Sequence, residues 1–140
     1  MRMTARLFTV AAVSLLILSS CSFGEASGLA DQAVERFHAQ YAAEQWSAMY
    51  DGADPQFRGA TRASDWTALM AAVRRKLGSF RSTSRTNVNV TASTGGTTVR
   101  QAFDTTFDEG HATEQFLWGI AGDHAVLLGY DISSPLLITR

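Results

Sequence analysis

Between residue 29 and residue 133 the polar and apolar positions follow two different periods, and the change falls near residue 79. Val34, Phe37, His38 and Tyr41 recur at i, i+3, i+4 and i+7, one face of a helix running from Leu29 to Ala43. Asp31 suits the positive end of such a helix. Trp46, Met49 and Tyr50 repeat the spacing over 44–50, and Asp51 to Pro55 is turn chemistry with Pro55 placed to open a short helical turn through Phe57. From Arg62 to Leu77 the apolar stripe is Trp66, Leu69, Met70, Val73 and Leu77. Thr61 or Ser64 can cap this helix, Asp65 and Arg74-Arg75-Lys76 complement its dipole, and Gly78 stops it.

Beyond Gly78 the period drops to two. Phe80 to Ala92 is rich in Ser, Thr and Val, and Ser93-Thr94-Gly95-Gly96 is a hairpin turn. Thr97 to Phe107 alternates, with Val99, Gln101, Phe103, Thr105 and Phe107 on one face. Thr113 to Ile120 places Glu114, Phe116, Trp118 and Ile120 together, and Ala125 to Ser133 groups Val126, Leu128, Tyr130 and Ile132. Helices first and four short-turned strands afterwards predict an α+β domain, with N-terminal helices packed on a curved antiparallel meander. A strongly bent meander would leave a pocket between the layers.

The first 28 residues follow neither period. Arg2 and Arg6 precede an apolar run, Leu7 to Leu18, about a dozen residues long, within the roughly 7–15 of a secretory signal and short of the ~20 needed to span a bilayer. Leu18-Ser19-Ser20-Cys21 then resembles the bacterial lipobox. That resemblance implies a lipidated Cys21, cleavage just before it, and a signal peptide of residues 1–20. Ser22 in second place implies the outer membrane, facing the periplasm, over the inner one. Residues 21–28 read as a polar tether, leaving 29–140 as one domain.

Composition narrows the chemistry. The chain has 140 residues, 46% hydrophobic, with a net charge of −1 and a single cysteine. One cysteine excludes an internal disulfide and a multi-cysteine metal site. His38, His111 and His124 have no metal-ligand spacing, no cofactor motif is present, and there is neither basic excess nor motif for nucleic acid. Glu114 stands out because it shares an apolar face with Phe116 and Trp118. A carboxylate there is paired, protonated or at a wet rim. One reading has it near an open edge, bound to Arg85 or Arg100. The other makes it a general base in a pocket of Gln101, Phe103, Glu114, Trp118 and Tyr130, with Tyr130 as hydrogen-bond donor. Arg74, Arg75, Lys76, Arg81 and Arg85 form a candidate electrostatic patch for anionic head groups, or else a solvated helix end.

Trp46, Phe57-Arg58, Trp66 to Gly78, the run Phe103-Asp104-Thr105-Thr106-Phe107, Glu114 and Gly129-Tyr130 together resemble a family of bacterial envelope proteins, the domain of unknown function 4019 family. The resemblance implies a nuclear-transport-factor-2-like, cystatin-like cone and brings no catalytic residues. The expectation is a lipid-anchored envelope protein, a non-enzymatic module for a protein partner or a small apolar ligand, able to pair as a homodimer through its sheet face. The alternative is a small isomerase or hydrolase using Glu114.

Overall fold

A computed structural model describes residues 18–139, with side chains from Ser22 to Thr139. Residues 1–17 and the Cys21 side chain, on which the signal and lipidation expectations rest, lie outside that description. The helices are α1 (Leu18–Ala42), α2 (Trp46–Asp51), α3 (Pro55–Ala60) and α4 (Ala63–Leu77). The strands β1 (Phe80–Ser93), β2 (Gly96–Phe107), β3 (His111–Ala121) and β4 (His124–Ser133) follow, with a last turn of helix, α5 (Pro135–Ile138). The strands form one antiparallel meander in the order β1-β2-β3-β4, so β1 and β4 remain open edges. Helices on one side of an unclosed sheet give the α+β, cone-like architecture.

α1 is longer than its periodicity predicts. Residues 22–28, expected as a tether, continue the helix because Ala26 and Ala30 are buried and Leu29 packs on the core. Asp31 is therefore mid-helix rather than at a dipole end. The expected stripe holds: Val34, Phe37, His38 and Tyr41 are all buried. On α4, Trp66, Met70, Val73 and Leu77 are buried, whereas Leu69 is 38% exposed and lies off the stripe. Neither Thr61 nor Ser64 caps α4. Arg62 occupies the cap position and its Nε pairs with Asp65 Oδ2 at 2.8 Å. Asp54 caps α3, accepting from the Gln56 amide at 2.7 Å.

Gly78 ends α4 at φ +80°, a conformation that L side chains rarely adopt. A Cβ there would also meet Asp108 Cβ at 2.8 Å. That close approach lets the Asp108 carboxylate accept from the Ser79 amide at 2.9 Å and from Arg81. Those donors, the amide first, hold Asp108 below its ordinary pKa.

The expected inward faces of β2 and β3 are observed, and Ala112 joins them because β3 starts at His111. β4 departs from expectation. Leu117 pairs with Gly129 but Trp118 pairs with Leu127, so Leu128 bulges out of register. Below the bulge Tyr130 and Ile132 lie opposite Phe116 and Glu114, and above it Ala125 and Leu127 are buried in place of Val126 and Leu128. Between the layers, Phe37 meets Phe116, Tyr130 and Trp66 with ring centroids 5.0, 4.8 and 6.2 Å apart, and Phe116 stacks on Trp118 at 5.3 Å. Aromatic rings fill the centre of the space where the bent meander was expected to leave a pocket.

Candidate functional site: a polar network inside the cone

Glu114 is 1% exposed, on a central strand and facing α1. Its Oε1 lies 2.8 Å from His38 Nε2 and accepts from Thr105 Oγ1 at 2.6 Å; its Oε2 accepts from the Tyr130 hydroxyl at 2.6 Å. The bond to a carboxylate requires the proton of His38 on Nε2. A hydroxyl has one proton to give, so Thr105, spent on Glu114, must accept from Thr83 Oγ1, 2.7 Å away. The chain of donors thus runs from β1 through β2 to β3. His38 is held from its flank by Phe80, stacked at 4.1 Å. Burial first, and then the Glu114 carboxylate, push the Tyr130 hydroxyl well above its ordinary pKa, so it remains a donor.

A second network lies further along α1. Arg85 Nη1 donates to Asp31 Oδ1 at 2.7 Å and Oδ2 at 2.9 Å, Gln101 Nε2 donates to Asp31 Oδ1 at 2.7 Å, and Trp118 Nε1 donates to Gln101 Oε1 at 3.1 Å. Asp31 and His38 are seven residues apart on one helical face, and they serve Gln101 and Glu114 in turn. By contrast, the buried Trp66 Nε1 has no hydrogen-bond partner among the described residues.

The arginine pairings expected for Glu114 are not formed. Arg85 is committed to Asp31, and Arg100 is exposed on the opposite face of β2. Glu114 instead spends its two oxygens on His38, Thr105 and Tyr130. The clefts lie elsewhere. One of about 210 Å³ between α1, α2 and β4 includes Arg36, Phe37, Met49, Trp118 and Leu127 in its wall. Another, of about 410 Å³, holds Asp31, Thr83, Arg85 and Phe103. Of the five residues expected to share a pocket, Trp118 lines the first of these clefts and Phe103 the second, and neither wall includes Gln101, Glu114 or Tyr130.

The basic residues are likewise distributed. Arg74 pairs with Glu44 at 3.5 Å and sits over the Tyr41 ring, and Lys76 Nζ donates to the carbonyls of Leu137 and Thr139, each at 2.9 Å. Arg81 pairs with Asp108, and Arg75 is exposed. Tyr41 marks this end of the molecule. Its hydroxyl donates to the Gly78 carbonyl at 2.7 Å, and burial outweighs the opposing Arg74 charge to push its pKa up to about 12. His111 and His124 bond Thr106 and Asp123, each at 3.1 Å. Among the described residues no cluster of His, Cys, Asp and Glu could hold a metal ion, and no helix is long and apolar enough to cross a membrane.

With this geometry in place, comparison with known families is decisive at one level. Residues 33–130 match the family described as Protein of unknown function (DUF4019). The chain belongs to that family. The match spans α1 from Ala33 to Tyr130 of β4, and so takes in His38, Gln101, Glu114 and Tyr130 but neither Cys21 nor Asp31. No curated protein matches the chain. The DUF4019 match thus covers most of the cone-like domain with its Glu114 network, and leaves the N-terminal segment to be read from its own residues.

Proposed function

We propose that this DUF4019 protein is a lipid-anchored protein of the bacterial cell envelope, and that its cone-like domain is a non-enzymatic binding or interaction module. The observation that carries the reading is Leu18-Ser19-Ser20-Cys21, placed directly after a basic start and a short apolar run, with Cys21 the chain's one cysteine. Several acyl chains on one residue anchor durably, where one chain binds only marginally. Ser22 favours the outer membrane, facing the periplasm. The non-enzymatic half of the reading is supported by Glu114, whose oxygens are taken up by His38, Thr105 and Tyr130.

The catalytic alternative has one observation in its favour: Glu114 points inward with Tyr130 beside it at 2.6 Å. It also needs a route to Glu114 through Phe37, Phe116 and Trp118, the rings packed between the layers. A binding module needs no such route. It can use the surface clefts for a small apolar ligand, or the outer sheet face for a protein partner or a second copy. Membrane fractionation of cells producing the full chain tests the anchor. Wild type is expected with the membranes, and residues 22–140 exported behind an ordinary cleavable secretory signal in the soluble fraction; residues 22–140 that stay membrane-bound, or a wild type that is released, would contradict it.

A further inference from the structure

We propose that the N-terminal end of the cone is a membrane-contact face, in which Phe23 and Val88 rest on the lipid surface beside the anchor. The proposal rests on the lipid-anchor reading and adds an orientation to it. Helix α1 is continuous from Leu18 through Cys21 into the core, so a chain cut before Cys21 opens on this helix. An anchor on Cys21 is therefore attached to the body of the domain without a flexible spacer. The end of the domain that carries it must stay near the bilayer.

The neighbours of that end follow from the way α1 lies on the sheet. Tyr41 bonds Gly78, His38 stacks on Phe80, and Asp31 and Ser27 both bond Arg85, so α1 and β1 run in opposite directions side by side. Phe23 is one turn before Ser27, about 6 Å further along the helix. Val88 is three residues past Arg85, at most about 10 Å further along the strand. Both lie toward the same end. Val88 faces the helix side of the sheet, opposite Gln101, as Val90 does opposite Val99. Ser22, Glu25 and Ala26 share a cleft with Thr97, Ile120 and Gly122, which brings the β1–β2 and β3–β4 turns to this end as well.

Phe23 is 45% and Val88 39% exposed, two of the four large apolar side chains that the described residues leave open to solvent. Two exposed apolar side chains at the anchored end suit shallow insertion beside the acyl chains. The basic residues do not compete for this role. Arg74 and Lys76 stand by Tyr41 and α5, about 28 Å from Ser22 at 1.5 Å per residue of α1. The occupant chosen is the bilayer, because the residue proposed to carry the lipid opens the helix at this end.

The test uses the full lipidated protein, extracted from membranes and reconstituted in phosphatidylcholine vesicles carrying a lipid-borne quencher. Lipidation consumes the Cys21 thiol, so Val88→Cys or Ile138→Cys supplies the single site for an environment-sensitive dye. Ile138 is 83% exposed on α5, at the opposite end. Quenching is expected severalfold stronger at position 88 than at 138, and Phe23→Ser should reduce the signal at 88 to the distal level. Equal quenching at both positions, or no effect of Phe23→Ser, would overturn the contact face while leaving the anchor standing. A dye at 88 shielded from water yet unquenched would mean a protein occupant and also overturn it. A preparation whose intact mass lacks the lipid would overturn the anchor and this proposal together.

Discussion

Glu114 couples three segments of the fold through one carboxylate, and its environment explains both what it does and why it was hard to place from the sequence. His38, Thr105 and Tyr130 come from α1, β2 and β4, so the carboxylate acts as a pin between the helix layer and the sheet. Removing one member of a buried charged cluster leaves its partners desolvated and unpaired. Glu114→Ala is expected to lower unfolding free energy by about 3–5 kcal/mol, and Glu114→Gln, which keeps the shape and one acceptor, by about 1–3 kcal/mol. Urea denaturation of the isolated domain measures both. The strand period correctly put Glu114 inward with Phe116 and Trp118. Its partners were not legible, because His38 is 76 positions away and pairing across layers leaves no local trace. One signal was available: Asp31 and His38 interrupt a single apolar helix face seven residues apart, and Gln101 and Glu114 interrupt the facing strands. Polar interruptions on two opposed apolar surfaces are expected to meet, since isolated polar groups are costly there.

Element boundaries were readable where a stop signal exists and obscure where packing alone decides. Gly78 is a stop with a steric reason, and Gly78→Ala is expected to destabilise by more than about 1 kcal/mol in thermal or urea unfolding, through its positive φ and the Asp108 contact. The start of α1 has no such mark. Ser22, Gly24, Ser27 and Gly28 are weak helix formers, and burial of Ala26 extends the helix against their propensity. The β4 bulge was invisible for a similar reason: Val126, Leu127 and Leu128 are all apolar, so alternation cannot tell which faces the core. The end of α1 also sets an alkaline limit. Tyr41 ionises near its ordinary pKa of 10 when unfolded and near about 12 when folded. The unfolded chain loses that proton first, so stability is fully present below pH 10 and falls as pH rises from 10 to about 12. Tyr41→Phe should shallow that decline without abolishing it, because Tyr130 is shifted in the same direction. Unfolding free energy measured across this range checks the slope.

At the scale of the whole molecule, the switch of period near Gly78 was enough to anticipate helices on an open antiparallel meander. What the period could not foresee is how the layers fill. A curved sheet under helices holds a cavity only if the facing side chains are small, and here Phe37, Trp66, Phe116, Trp118 and Tyr130 converge. The proposed module would act through its surface, and the proposed anchor decides which part of that surface faces the membrane. Mass spectrometry of the intact full-length gene product, extracted from a bacterial host's membranes, tests this most directly. The account predicts a chain beginning at Cys21, heavier than residues 21–140 by a diacylglyceryl group and an amide-linked acyl chain. An unmodified Cys21, in a chain that retains residues 1–20 or is cut elsewhere, would contradict it.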